Sequence, residues 1–371
     1  MNFQANEEQR MLCESARKFF SHEFPLARLR EVEAQGLAQF LPVYRKMSEL
    51  GYLGIAIPEE YGGTGGDWLD LALFAEEAGR ALLPTLQLTS LALGAQALLR
   101  LGTSGRIAAL TAGTAIIAPA WLEAAEASRE PAQATRAAAF GETVRIDGSK
   151  RFVEGFEVAS ELLVPVCDSG GNTRFVLVPR DVAGIAATTH RLSSLDCVHD
   201  LSFKAVSVAR ERMLPLAWSA WLEVVDGAKI IAAAWAVGAA RAALEMALGY
   251  AKERKQFGRP IGSFQAVQHR LADAAIVLEQ ASAMMRYAAW LHARTGHCAR
   301  EAAMAKLVAG RAVRQVTHAA TLTHGGYGFM EEFDIQLYFR RAKQFDQLIE
   351  GPAMQRELIA LEPSEDLLRV H

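Results

Sequence analysis

"YAKERKQFGRPIGSFQAVQHRLADA", residues 250–274, reads as a helix end, a tight reversal and a helix start. Gly258-Arg259-Pro260 interrupts the helical pattern, and Ser263 opens the next helix. Arg254, Lys255 and Arg259 crowd the reversal beside Phe257, which the pattern leaves exposed. Such a turn can grip a pyrophosphate and an aromatic ring, because guanidinium groups pair with phosphate oxygens through parallel N–H donors and stack on π faces. The plain alternative is a solvated turn between two helices.

Downstream of the turn, Val267, Leu271, Ala274, Leu278, Ala281, Met285, Ala288 and Leu291 recur at three-four spacing, which predicts the seam of a helical bundle. Met284 and Met285 belong to that core. Upstream, "IIAAAWAVGAA" (230–240) lies between Lys229 and Arg241; 11 apolar residues are too few to span a bilayer and predict a buried helix. From about residue 215 onward the chain is helical and Ala-rich. Before it, "TVRIDGSKRFVEG" (143–155), "ELLVPVCD" (161–168), "TRFVLVPRD" (173–181) and "DLSFKAVSVAR" (200–210) are short, β-branched and partly alternating. Asp147-Gly148 and Ser169-Gly170-Gly171 separate them as turns, so residues 113–214 predict a small, mostly antiparallel barrel or sandwich. The first 112 residues carry helical spacing again, broken by the loop "PEEYGGTGGDW" (58–68). The expected fold class is therefore α+β: an N-terminal helical domain (1–112), a middle β domain (113–214) and a C-terminal helical bundle (215–371).

A chain of 371 residues can hold two or three domains, and 51% hydrophobic with 22% charged residues is the balance of a soluble protein. A net charge of −3 gives no electrostatic case for nucleic acid or an anionic membrane. Cys13, Cys167, Cys197 and Cys298 lie far apart with no C-x-x-C pair, which suits reduced cytosolic thiols. The opening "MNFQANEEQR" lacks the apolar core of a signal peptide, so a cytoplasmic location is expected. The nine histidines include no H-E-x-x-H, and no metal site is expected. "YGGTGG" (61–66) lacks the Gly-Lys-Ser/Thr of a phosphate-binding loop, and "GYGFME" (326–331) has Glu331 where a dinucleotide fingerprint needs Gly or Ala. No G-x-S-x-G is present, so hydrolase chemistry has no nucleophile elbow.

The 250–274 stretch closely resembles the signature of the acyl-CoA dehydrogenase family. "LGYLGIAIPEEYGGTGGDWLDLALFAEEAGRAL" (50–82) resembles that family's N-terminal helical domain. "VDGAKIIAAAWAVGAARAALEMALGYA" (225–251) and "HGGYGFMEEFDIQLYFRRAK" (324–343) resemble its C-terminal four-helix bundle. The resemblance implies FAD bound without a dinucleotide fold, and formation of an α,β-double bond in an acyl-CoA thioester. It implies that Arg254, Gln256 and Phe257 reach the pyrophosphate and adenosine of a neighbouring subunit's FAD, with Ile261 and Gln265 in the same groove. Gly325 and Gly326 would let the backbone approach the adenosine phosphates, with Arg254 and Gly326 meeting the cofactor from different chains. "KRFVEG" (150–155) falls where the family usually has Trp-Ile-Thr against the flavin: Phe152 and Val153 keep the apolar contact, and Glu154 replaces the hydroxyl.

In "FDQLIEGPAMQR" (345–356), Glu350-Gly351 resembles the Glu-Gly that carries the family's base. Removing an α-proton while hydride leaves the β-carbon needs a carboxylate in a dry pocket, and Leu348, Ile349 and Pro352 suit one. The family's alternative base position falls on Ala228, which leaves Glu350. Aligned without gaps, "RRAK" and "MQR" put Ile349 at the family's Glu and Glu350 at its Gly. "APAWLEAAEASREPA" (118–132) replaces the usual flavin and substrate loop, Lys229 stands where Arg is common, and Leu322 where Gln is common. These departures resemble the branch acting on steroid side chains and other bulky acyl groups. The expected partners are an acyl-CoA substrate, an electron-transfer flavoprotein as acceptor, and a second subunit, identical or related. The rival expectations are a partner subunit without chemistry of its own and a flavin oxidase on the same fold.

Overall fold

The computed structural model describes residues 5–124, 129–131 and 134–361. In chain order it begins with helices α1 (Glu7–Glu23), α2 (Leu26–Gln35), α3 (Leu41–Glu49) and α4 (Trp68–Arg80). A π-helical stretch (Leu88–Ala95), α5 (Gln96–Leu99) and α6 (Ser104–Thr111) follow. Eight strands come next: β1 (Ile117–Pro119), β2 (Arg136–Phe140), β3 (Thr143–Glu154), β4 (Glu161–Cys167), β5 (Thr173–Pro179), β6 (Ile185–Arg191), β7 (Cys197–Ala209) and β8 (Met213–Leu214). The chain then returns to helix in α7 (Trp218–Glu253) and makes the short strands β9 (Lys255–Gln256) and β10 (Arg259–Pro260). Helices α8 (Gln265–Thr295), α9 (Ala299–His324), α10 (Ile335–Gln347) and α11 (Pro352–Leu361) complete it. Helices, sheet and helices thus follow in the expected order.

The chain divides into two compact units. Met1–Leu29, Trp68–Leu83 and Lys229–His371 form one, and Arg30–Asp67 with Pro84–Ala228 form the other. In the first, α1 is started by a reciprocal cap: Asn6 Oδ1 accepts from the Gln9 N–H and Gln9 Oε1 from the Asn6 N–H. Glycines let α4 cross α7 closely. A Cβ at Gly238 would lie 1.8 Å from the Glu76 carbonyl oxygen, and one at Gly79 would lie 2.1 Å from that of Trp235. Ion pairs flank the crossing: Arg241 Nε donates to Glu76 Oε1 at 2.8 Å and Arg80 Nη1 to Glu245 Oε1 at 3.0 Å. α7 is the one described helix long and apolar enough to cross a membrane, and 83% of its most apolar window is buried within the protein. It is longer than the 11-residue run suggested, because alanines and leucines continue the buried face beyond Arg241.

In the second unit the strands form one eight-stranded sheet ordered β6-β7-β3-β2-β4-β5-β8, with β1 also on β4. Most pairings are antiparallel as expected, but β1 and β2 both run parallel to β4. The alternation "eBeB" along Thr143–Ile146 shows one covered and one open face at the start of β3. Val144, Ile146, Leu163, Val176 and Val206 are fully buried within the sheet's core.

Candidate active site

The 250–274 stretch folds as a hairpin rather than a simple turn. Gln256 pairs with Arg259 across a two-residue loop, Phe257-Gly258, at φ +54° and +78°. Two positive φ angles match the twist of a two-residue hairpin, and glycine takes the second at no steric cost. Phenylalanine at the first is strained, and its ring is 91% exposed. Arg259 lies over the Phe264 ring at 4.2 Å, and the Ile261 N–H donates to the Arg254 carbonyl. Gln265 is the first residue of α8, two positions later than the expected start at Ser263, because a 3₁₀ turn occupies Ile261–Ser263.

Arg254 also reaches the end of α9. Its guanidinium lies 5.7 Å from the centroid of the Tyr327 ring, and Tyr250 stacks on His324 at 4.4 Å. Gly325, at φ +63°, and Gly326 follow His324, and a Cβ at either would meet nothing within 4 Å. Arg254 and the two glycines therefore adjoin one another within one chain. A guanidinium and uncrowded glycine N–H groups can pair with phosphate oxygens and an exposed ring can stack on a base, so these residues fit the adenosine pyrophosphate of FAD.

In the sheet unit, the β3–β7 register slips between Lys150 and Val153. Phe152 there has φ +52°, and its N–H donates to Asp200 Oδ1 at 3.1 Å. Arg151 lies over the Phe152 ring at 4.9 Å. Val153 is 1% exposed, so its side chain is spent in the core, while Phe152 and Glu154 keep part of their surface open. Thr85 Oγ1 donates to Glu154 Oε2 at 2.5 Å. Burial, with Asp196 adding to it, pushes the Glu154 carboxyl up to about 7. Part of 118–132 lies outside the described residues, but Glu123 is tied down. Its Oε1 accepts from Lys150 Nζ at 2.7 Å, and its two oxygens accept from the Thr135 and Ala134 N–H groups.

Glu350 occupies the link between α10 and α11 and is 1% exposed. Lys229, on α7, puts its Nζ 2.6 Å from Glu350 Oε2, with both side chains fully covered. A carboxylate this deep is costly unless a cation meets it, and Lys229 does so. The backbone is held too: Gln355 Nε2 donates to the Glu350 carbonyl at 3.0 Å, and Ile349 sits at φ +70°. A left-handed β-branched residue is strained and persists only where its surroundings over-determine it. A second buried lysine, Lys306 on α9, donates to the Phe345 and Asp346 carbonyls at 2.9 and 3.0 Å. Burial pulls it down to about 8, opposed by Asp346, and both Lys229 and Glu350 act on it. The Asp346 carboxylate is 3.3 Å from Arg314 Nε. Lys229 as the partner of Glu350, and the buried Lys306 beside them, were not read from the sequence. The available signal was a lone lysine in each of two apolar runs, "DGAKIIAAA" and "AAMAKLVAG".

Models of the acyl-CoA dehydrogenase N-terminal domain and of the acyl-CoA dehydrogenase C-terminal domain match residues 6–108 and 218–362. The chain belongs to the acyl-CoA dehydrogenase family, and is thus an FAD-dependent oxidoreductase acting on acyl-CoA. It is 34% identical to a probable acyl-CoA dehydrogenase, YngJ, of Bacillus subtilis, over 97% of this chain and 99% of the other. A solved structure described as a Tcur3481-Tcur3483 steroid ACAD variant is 30% identical, with a TM-score of 0.85 over 95% of this chain and 97% of that one. The ChsE4-ChsE5 complex from Mycobacterium tuberculosis contains a chain 27% identical, with a TM-score of 0.88 over the full length of both.

Proposed function

We propose that this chain forms the α,β-double bond of an acyl-CoA thioester, with Glu350 as the base that takes the α-proton. The observation that carries the reading is the Glu350–Lys229 pair at 2.6 Å, with both side chains fully covered by protein. The Glu350 Oε atoms are the proton acceptors in this reading, because a general base needs a lone pair within reach of the proton it takes. Ala228, beside Lys229, offers no rival group. FAD, when bound, supplies the acceptor for the hydride that leaves the β-carbon. Phe152 and the backbone at Val153 would lie against its ring system. Arg254, Gln256, Phe257, Ile261 and Gln265, with the Gly325-Gly326 backbone, would hold the adenosine pyrophosphate of a cofactor bound by a neighbouring subunit. Because Arg254 adjoins Tyr327 in one chain, this reading has one protomer supply both the arginine and the glycines. The electrons would then pass to an electron-transfer flavoprotein.

A second reading is favoured by one observation: the Glu350 side chain is fully covered and already held by Lys229. On that reading the pair is structural, and catalysis needs a related subunit that brings its own base. Of the two similar structures above, one is described as the ChsE4-ChsE5 complex and the other names two components, Tcur3481 and Tcur3483. Anaerobic mixing of the FAD-loaded chain alone with a panel of acyl-CoA thioesters, steroid side-chain analogues included, separates them. Bleaching of the flavin by one thioester is expected. Bleaching by none until a second subunit is added would establish the structural reading instead.

A further inference from the structure

We propose that Glu154, hydrogen-bonded by Thr85, is a proton-exchanging group of the flavin pocket that gains a proton when the flavin is reduced. The inference rests on the placement of FAD against Phe152 given above. Glu154 is the last residue of β3, two positions beyond Phe152, and both keep open surface while Val153 between them is buried. A ligand lying along Phe152 therefore meets the Glu154 carboxyl next. What packs around that carboxyl is largely uncharged. β7 presents Val198 opposite it, and the segment before the π-helical stretch presents the Thr85 hydroxyl. The charge that acts on it is that of Asp196, in the turn between β6 and β7, and like charge favours the neutral acid. The carboxyl is held up to about 7, where a small change in local charge alters its protonation.

A flavin bound there and reduced by hydride would carry one more negative charge, which would raise the proton affinity of the Glu154 carboxylate. The O–H bond that forms on Glu154 takes its proton from solvent, and the substrate's α-proton goes separately to Glu350. When the two electrons leave for the acceptor, Glu154 returns the proton. Reduction then takes up two protons per two electrons near neutral pH, one as part of the hydride and one on Glu154, instead of one.

The experiment is a redox titration of the FAD-loaded protein from about pH 6 to about pH 8, because a proton taken up on reduction appears as the pH slope of the potential. Above about pH 7, where the oxidised protein carries Glu154 without its proton, the wild-type midpoint potential is expected to fall about twice as steeply with pH as that of Glu154→Gln, and below it the two slopes should converge. Thr85→Val keeps the carboxyl but removes a donor that favours its charged form, so the steep region should move to higher pH. In FAD-free protein, infrared difference spectra of wild type minus Glu154→Gln should show a carboxyl titrating near 7. Identical slopes in wild type and both variants, with FAD bound in all, would overturn the proposal and leave the FAD reading standing. A wild type that binds no FAD would remove that reading and this inference together. If Glu154→Gln does not fold, an unmoved slope in Thr85→Val overturns the proposal by itself.

Discussion

At the scale of single residues, Phe257 and Ile349 carry strain for opposite ends. Phe257 spends a left-handed φ on holding an apolar ring in water, which suits the cofactor contact proposed for it. Phe257→Asn suits the first position of an Asn-Gly hairpin. The cofactor-free protein should therefore gain up to about 1 kcal/mol in denaturant unfolding, the scale of the left-handed penalty removed. The same variant should retain less FAD through gel filtration. Arg254→Ala should also lower FAD occupancy, by the roughly 1.5–3 kcal/mol of a charge-assisted bond; undiminished flavin in either variant would contradict the hairpin's assignment. The strain at Ile349 instead aims Glu350 inward. That geometry was not legible, since left-handed isoleucine has no sequence signal and an ungapped alignment puts Ile349 itself at the family's base position.

At the scale of elements, the stripe on α8 was legible because period and composition agreed. Leu271, Ala274, Leu278, Ala281, Met285 and Ala288 are all buried. The parallel pairings of β1 and β2 with β4 were not, because parallel pairing depends on distant chain and leaves no local turn. The union of α7 with the α10–α11 link through Lys229 and Glu350 was likewise hidden by distance along the chain. It yields a cycle of mutants. Lys229→Met leaves Glu350 buried without its cation and should destabilise by about 3–5 kcal/mol. Adding Glu350→Gln to Lys229→Met should recover most of that loss, measured by chemical unfolding. Additive losses would mean that the two groups do not meet. The Glu123–Lys150 tie acts in the same way on the sheet unit. Burial alone would raise Glu123, but Lys150 and the Ala134 and Thr135 N–H groups outweigh it and bring the carboxyl to about 2.

At the scale of the whole molecule, two carboxyls give the stability curve opposite slopes. Glu123, lowered from 4.5 to about 2, contributes stability present above about 4.5 and lost as pH falls through about 2. Glu154, raised from 4.5 to about 7, contributes stability present below about 4.5 and lost as pH rises through about 7. Thermal unfolding across pH should therefore flatten on the acid side in Glu123→Gln and on the neutral side in Glu154→Gln. The family, its domain order and its cofactor were legible because the 250–274 hairpin is a local, charged and unusual sequence. The charge balance around Glu350 was not, because burial and pairing are properties of the folded bundle. The proposed proton transfer turns on that carboxylate, and single-turnover flavin reduction tests it most directly. With saturating acyl-CoA under anaerobic conditions, Glu350→Gln, less stable than wild type because Lys229 loses its counter-charge but still folded and FAD-loaded, should bleach about 10²–10⁴-fold more slowly than wild type. An unchanged bleaching rate would show that Glu350 takes no proton from the substrate.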